Sequence, residues 1–169
     1  MLDNKSFFES TGVLFPELIL PDDYVWESLN GLKGYIDNFS GYQRLTSPFQ
    51  YAEPLEHTVV LCEGEVIKGE ECRIVYGATT KGELAVYHKD ELLDGASVIM
   101  AGACCLGDNI AIGKGVLIES GAMVKSPAII GDYNEIRQSA YLRGYVLTGT
   151  GCVLGHATEI KHAIFLDNA

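Results

Sequence analysis

The chain has 169 residues, 12 of them basic and 23 acidic, and its length suits one domain with a core of its own. The formal net charge of −11 argues against a nucleic-acid partner, whose phosphates require a basic surface, and the 47% of apolar residues excludes a disordered chain. No apolar run reaches the roughly 20 residues of a membrane span and the N-terminus lacks the features of a signal peptide, so we expect a cytoplasmic protein without a membrane partner.

Residues 1–50 are expected to form an N-terminal helical cap. Pro21 and Asp22 are suitable residues for the start of a helix. Apolar residues then recur at helical spacing, at Val25, Leu29, Leu32, Ile36 and Phe39. Such a helix has one apolar face, which we expect to pack on the coil that follows it.

Residues 51–97 are less regular, and we interpret them as an irregular first coil followed by an inserted loop. Leu61 and Ile67 lie six residues apart, which suggests an imperfect coil in its own register. The stretch 75–97 then breaks the period and is expected to form an inserted loop or hairpin. Loops that leave a regular scaffold often carry contacts to substrate.

Residues 98–169 repeat with a period of six. The positions are Met100, Leu106, Ile112, Ile118, Val124, Ile130, Ile136, Leu142, Thr148, Leu154, Ile160 and Leu166, of which only Thr148 is not Leu, Ile, Val or Met. A second series, two residues earlier, runs from Val98 to Ile164 and is mostly small or β-branched. A period of six fits short strands joined by tight turns and predicts a parallel β-helix, with both series pointing inward. Three hexads make one coil, so the segment supplies nearly four coils.

Residues three hexads apart should lie one above another, about 4.8 Å apart, on the outside of such a helix. One outward column reads Gly113, Gly131, Gly149 and Asp167, as expected for tight turns with unusual backbone angles. Another reads Gly107, Lys125, Arg143 and Lys161. Three stacked cations repel one another unless an anion lies across them, which favours a phosphate or carboxylate site. The alternative is a solvated edge that neighbours such as Glu159 neutralise.

A third outward column is apolar and needs a cover. It reads Ala111, Ile129, Leu147 and Phe165. Either another subunit or the N-terminal segment could provide the cover, and we favour another subunit.

The stretch IRQSAYLRGYVLTGTGCVLGHATEIKHA, residues 136–163, resembles the hexapeptide-repeat acyltransferase family, in particular the acetyltransferase domain of the bifunctional glucosamine-1-phosphate acetyltransferase/uridyltransferases. It is also similar to short sugar-phosphate nucleotidyltransferase-like β-helix proteins. The segments IR, LRG, VLG and TEIK carry the resemblance. It implies a left-handed parallel β-helix, a homotrimer, acetyl-CoA as co-substrate and a small-molecule sugar phosphate as acceptor.

The resemblance also assigns roles to residues. Arg143 and Lys161 correspond to the arginine and lysine that contact the phosphorylated sugar, whereas Lys125 is a candidate from its place in the basic column alone. The catalytic histidine of the family lies about a dozen residues beyond that lysine, past Ala169, so we expect the β-helix to be truncated. His156 is then the remaining candidate for the general base, and the alternative is a surface or interface histidine.

Three functions remain open at this stage. The first is an acetyl-CoA-dependent N-acetyltransferase that acts on an amino-sugar phosphate through a general base. The second is a non-catalytic, oligomerising or sugar-nucleotide-binding module of a nucleotidyltransferase-like protein. The third is a metal hydratase, which needs three converging histidines. His156 and His162 fall on adjacent faces of one coil, and the sequence shows no third partner for them. The absence of a CxxC pair argues separately against a zinc knuckle, and we predict no metal.

Overall fold

The computed structural model of the chain describes residues 2–8, 15–20, 22–45 and 53–169. They form a parallel β-solenoid of about four turns, with a single α-helix near the N-terminus. The predicted fold class, a mainly β, left-handed hexapeptide-repeat β-helix with an N-terminal helix, is therefore confirmed.

The solenoid has three faces, each a sheet of parallel strands contributed by successive coils. Face A consists of Ser97–Ile99, Leu117–Ile118, Glu135–Ile136 and Val153–Leu154. Face B consists of Cys104–Leu106, Met123–Lys125, Tyr141–Leu142 and Glu159–Ile160. Face C consists of Ile110–Ile112, Ala128–Ile130, Val146–Thr148 and Ala163–Phe165.

The interior of the middle coils has the predicted register. Ile118 of face A pairs with Ile136, and Val124 of face B pairs with Leu142, so each partner lies three hexads further along the chain. All four side chains are buried and belong to one apolar cluster that fills the solenoid. Burying each such side chain contributes about 2 kcal/mol to the free energy of folding. The apolar residues of the hexad pattern therefore provide the main stabilisation of the coil.

The first coil departs from the predicted register by one residue. Ile118 pairs with Ile99 rather than with Met100, and Val124 pairs with Cys105 rather than with Leu106. The interior of this coil therefore holds Ile99, Ala103 and Cys105. The physical reason is one additional residue in the corner between faces B and C, because the next pair, Ile130 with Ile112, has the regular spacing.

The last strand departs in the opposite direction. Val146 pairs with Ala163 rather than with Ile164, so the corner before this strand is one residue shorter. Ala163 and Phe165 consequently contact the solenoid interior, and Ile164 and Leu166 pack on the N-terminal segment instead. The prediction that Ile164 and Leu166 point inward was therefore wrong.

The glycine column has a different physical basis from the expected one. Gly131 does not have a positive φ; a Cβ at this position would overlap the backbone of Gly149 in the next coil. The left-handed conformation occurs two residues later, at Gly115, Tyr133 and Gly151. Close approach of the coils, rather than the backbone angle, requires glycine at 131.

The α-helix spans Glu27–Asn38 and ends where Phe39 adopts an extended conformation. Its start lies later than the predicted Pro21–Asp22, and Pro21 itself lies outside the described residues. Leu32 and Ile36 form its buried face, as the apolar spacing indicated. Within the described part of the chain, no helix has the length and hydropathy needed to cross a membrane.

The N-terminal segment covers the apolar column on face C. Ala111, Ile129 and Leu147 are buried in a cluster with the helix residues Leu32 and Ile36. Phe15, Leu18 and Ile19 also belong to this cluster. The cover is thus the same chain and not the other subunit that the sequence favoured, and Ile164 takes the place predicted for Phe165 because of the shorter corner.

Antiparallel strands close the N-terminal edge of the solenoid. Val59–Cys62 and Glu65–Lys68 form a hairpin, and the first of these strands pairs with Ser97–Ile99 on face A. Gln43–Arg44 pairs in the same way with the first strand of face C. The expected imperfect coil around Leu61 is therefore a hairpin. Glu63 and Gly64 both have positive φ, as a two-residue hairpin turn requires.

A second antiparallel unit packs on face A. Its strands are Cys72–Val75, Ala85–His88 and Glu91–Leu92. Val86 of this unit is buried against Val98 and Leu117, which point outward from face A. Short 3-10 turns occur at Asn4–Ser6, Gly69–Glu71 and Thr79–Lys81. The last of these turns lies in the loop between the first two strands and contacts the solenoid.

Candidate functional site

The structure brings the three predicted cations together. Each of Lys125, Arg143 and Lys161 directly follows an inward aliphatic residue of face B, and these aliphatic residues pair from coil to coil. The cations therefore stack at the corner between faces B and C, and all three are exposed. Leu106, not the predicted Gly107, is the partner of Lys125 in the coil before, because of the additional residue there. We call Lys125, Arg143 and Lys161 the basic column.

Arg143 has protein partners within its own face. One of its terminal nitrogens donates a hydrogen bond to the Glu159 carboxylate, and both side chains remain exposed. The guanidinium carbon lies 6.0 Å from the centre of the Tyr141 ring. The bond to Glu159 raises the pKa of Arg143 above its ordinary value, so this side chain stays cationic. The Glu159 contact offsets one of the three charges of the basic column.

Lys125 and Lys161 are the less engaged members of the basic column. Neither forms an ion pair within the described residues, where the pairs involve Lys5, Lys68, His88, Arg137 and Arg143. With Arg143 they leave a net charge of about +2 after Glu159 is counted, on a chain whose net charge is −11. A local excess of positive charge of this kind attracts a small anion.

His156 lies at the opposite edge of face B. It is exposed and occupies the corner between faces A and B, one coil beyond Gln138. The structure therefore does not bring His156 and the basic column together within one chain. The histidine contacts within the described residues belong to His88, 4.0 Å from Glu71, and to His162, whose Nε2 lies 3.2 Å from the Leu29 carbonyl oxygen.

The described residues contain no group of three or more His, Cys, Asp or Glu side chains arranged to hold a metal ion. The cysteines Cys104, Cys105 and Cys152 are buried, and burial raises their pKa values. Protonated, buried thiols are poor nucleophiles and poor ligands. The histidines and cysteines of this part of the chain thus offer no preassembled metal site.

The sequence did not indicate a groove that the structure forms beside face A. A cavity of about 590 Å³ lies between the loop that contains Tyr76 and the corner between faces A and B. Leu117 and Met100 provide an apolar floor, and Glu119 and Arg137 provide opposite charges. We call it the corner groove.

A buried carboxylate organises the corner groove. Glu135 is only 3% exposed, and its Oε2 accepts hydrogen bonds from Nε and Nη2 of Arg137 at 3.0 and 2.7 Å. Its Oε1 accepts a bond of 2.9 Å from the Thr79 backbone N–H. The sequence held one signal, since Glu135 and Arg137 are two apart and share a side of the strand. The burial depends on the position of the Thr79 loop, which no local pattern specifies.

Comparison of the chain with protein-family models, with curated proteins and with solved structures found no match. The fold itself, a parallel β-solenoid of about four turns, is consistent with a hexapeptide-repeat β-helix.

Proposed function

We propose that the protein is an acetyl-CoA-dependent N-acetyltransferase that acts in the cytoplasm on an amino-sugar phosphate resembling glucosamine 1-phosphate. The stacking of Lys125, Arg143 and Lys161 in consecutive coils is the observation that carries this proposal. The resemblance of residues 136–163 to sugar-phosphate acetyltransferases supports it independently, because it selects two of the same three residues.

The basic column suits a phosphate in its chemistry. Arg143 offers a planar fork of N–H donors, and Lys125 and Lys161 add point charges from the neighbouring coils. A phosphate that binds here competes with Glu159 for the Arg143 guanidinium, and the Tyr141 ring below that guanidinium can support a sugar ring. The phosphate thereby fixes the orientation of the amino sugar.

Transfer of the acetyl group requires a base. The base removes a proton from the substrate ammonium, and the free amine attacks the thioester carbonyl while backbone N–H groups stabilise the oxyanion. The C–S bond then breaks, and CoA leaves as the thiol with the second proton that the attacking nitrogen gives up. His156 is the candidate base, and it lies across face B from the basic column. In a homotrimer, a neighbouring subunit can bring its own His156 edge of face B to the basic column of this chain, with CoA bound between the two subunits. Met123 and Tyr141, which point outward from face B, are partly exposed and pack in none of the apolar clusters that the described residues form.

A second function is favoured by the separation of His156 from the basic column. A module that binds a sugar nucleotide without converting it needs the cations and no base. The acetyltransferase forms a product and the binding module does not, so an assay of turnover distinguishes them.

The assay combines the protein, glucosamine 1-phosphate and acetyl-CoA, and mass spectrometry follows the N-acetylated product. We expect product formation that falls at least tenfold in Lys161→Met, while Lys33→Met, at an exposed position on the helix, has wild-type activity. Binding of the sugar phosphate without product would establish the binding module. Absence of both binding and product would refute the proposed function.

A further inference from the structure

The corner groove has the dimensions and construction of a ligand site. Its volume of about 590 Å³ lies within the range of roughly 300–1,000 Å³ that small-molecule sites occupy. Tyr76, on the rim, is 50% exposed, and Met100 and Leu117 form the floor. An apolar floor with a few polar groups at the margin is the usual composition of a specific pocket.

Two opposite charges line this groove without pairing with each other. Glu119 and Arg137 directly follow Ile118 and Ile136, which pair on neighbouring strands, so their backbones lie about 4.8 Å apart. Arg137 nevertheless bonds to Glu135, and Oε2 of Glu119 accepts a 2.8 Å hydrogen bond from the Gln138 backbone N–H. Each charged group therefore retains bonding capacity toward the groove.

The support of Arg137 is more than a surface ion pair. Glu135 loses its hydration on burial, which is costly unless its partners are well placed. The partners of Glu135 are well placed, because Arg137 and Thr79 together donate hydrogen bonds to both carboxylate oxygens. The arrangement fixes the guanidinium at the groove while its side chain stays 38% exposed. Nη1 makes no hydrogen bond to the described residues and is free to bind a ligand.

The charge balance selects the kind of ligand. Glu135 and Arg137 neutralise each other, so Glu119 leaves the groove with a net charge of about −1. A simple anion is disfavoured there, whereas a molecule with an ammonium group and an anionic group satisfies both sides.

We propose that the corner groove binds a small zwitterion, with its ammonium group on Glu119 and its carboxylate or phosphate on Arg137. Two sources share this chemistry. One is an apolar α-amino acid, whose side chain contacts Met100 and Leu117, and the other is an amino-sugar phosphate. The inference goes beyond the proposed function, because the corner groove and the basic column lie at opposite edges of face B.

Isothermal titration calorimetry of the full chain with L-leucine and with glucosamine 1-phosphate tests this proposal. Leucinamide lacks the carboxylate and 4-methylpentanoate lacks the ammonium group, so they serve as matched controls. If leucine binds more tightly than glucosamine 1-phosphate, we expect leucinamide and 4-methylpentanoate to bind at least tenfold more weakly than leucine. If neither leucine nor glucosamine 1-phosphate binds, or if the analogues bind as well as leucine, the proposal is wrong.

Variants then locate the site. Glu119→Gln removes the charge but retains an oxygen for the Gln138 N–H, so the fold should persist while affinity for the zwitterion falls at least tenfold. Tyr76→Ala, at an exposed position, provides a second variant that does not disturb the Glu135 pair. Lys33→Met, which removes an exposed charge away from the groove, is the control and should leave the affinity unchanged.

The same variants separate this proposal from the proposed function. If Glu119→Gln weakens the binding of glucosamine 1-phosphate and Arg143→Met leaves it unchanged, the ligand binds in the corner groove. If Arg143→Met alone weakens it and leucine does not bind, the groove proposal is overturned and the basic column retains its role.

Discussion

Glu135 is a charged residue that is buried at an outward position of the repeat. An outward position on a solenoid strand is ordinarily hydrated, but here the Thr79 loop covers it and Arg137 neutralises it. The carboxylate thus joins the antiparallel unit on face A to the solenoid and at the same time positions a cation at the corner groove. Glu135 therefore both stabilises the fold and positions Arg137 for the binding of a ligand.

Replacing Glu135 by Ala should lower the free energy of unfolding by about 1–3 kcal/mol, because the buried Thr79 N–H loses its acceptor. Urea unfolding followed by circular dichroism measures the change. Glu91→Ala, at an exposed strand position, should change stability by less than about 0.5 kcal/mol. Equal stability of Glu135→Ala and the wild type would show that the Glu135 contacts contribute nothing to the fold.

The buried thiol of Cys105 makes the free energy of unfolding fall with increasing pH in the alkaline range. Burial raises the pKa of this thiol to about 12, against an ordinary value of 9.0. The folded state therefore holds its proton more tightly, and stability is lost as the pH rises above 9, by at most about 1.4 kcal/mol per pH unit for one group. Tyr35 and Tyr42, also raised to about 12, add to the loss only above pH 10.

Urea unfolding at pH 8, 9 and 10 tests this dependence. The wild type should lose stability over this interval, and Cys105→Ala should lose less, since the substitution removes one titrating thiol. A Cys105→Ala curve with the same pH dependence as the wild type would contradict the assignment.

At the scale of elements, the helix Glu27–Asn38 packs on face C. Ile129 lies at its centre, points outward from its strand and is buried by the N-terminal segment. Val153 points outward in the same way from face A but is 36% exposed. The two residues therefore occupy equivalent positions in the repeat and different environments.

Ile129→Ala should lower the free energy of unfolding by about 2–4 kcal/mol, because it leaves a cavity under the helix. Val153→Ala should lower it by less than about 1 kcal/mol, since water already reaches the side chain. Chemical denaturation of both variants at several protein concentrations provides the measurement. Similar losses for the two, or a loss at Ile129 that depends on protein concentration, would indicate a subunit contact rather than the helix.

The elements also show where sequence reasoning succeeds. The hexad pattern predicted the solenoid and its register from Ile110 to Ile160, because every inward position there needs an apolar or small side chain. It failed at Cys105 and Ala163, where a corner gains or loses one residue, since the neighbours Leu106 and Ile164 are also apolar and keep the period of six intact in the sequence. The hairpin at Glu63–Gly64 could have been identified from its turn residues.

For the whole molecule, the site was predictable only in part. The basic column follows from counting three hexads at a time along the chain, because the coils between Val124 and Ile160 keep their length. The corner groove requires a loop from outside the repeat, so its residues Tyr76 and Glu119 could not be associated in advance. Face B separates the two sites, and its partly exposed outward residues Met123 and Tyr141 leave room for a neighbouring subunit.

The proposed function depends on whether the basic column binds the phosphate of a sugar phosphate. The most direct test is calorimetric titration of glucosamine 1-phosphate into the wild type, into the double variant Arg143→Met/Lys161→Met, and into the control Lys33→Met. A phosphate site on the basic column predicts that the wild type and the control bind the ligand, that high salt weakens this binding, and that affinity falls at least tenfold in the double variant. Undiminished affinity of the double variant would contradict it.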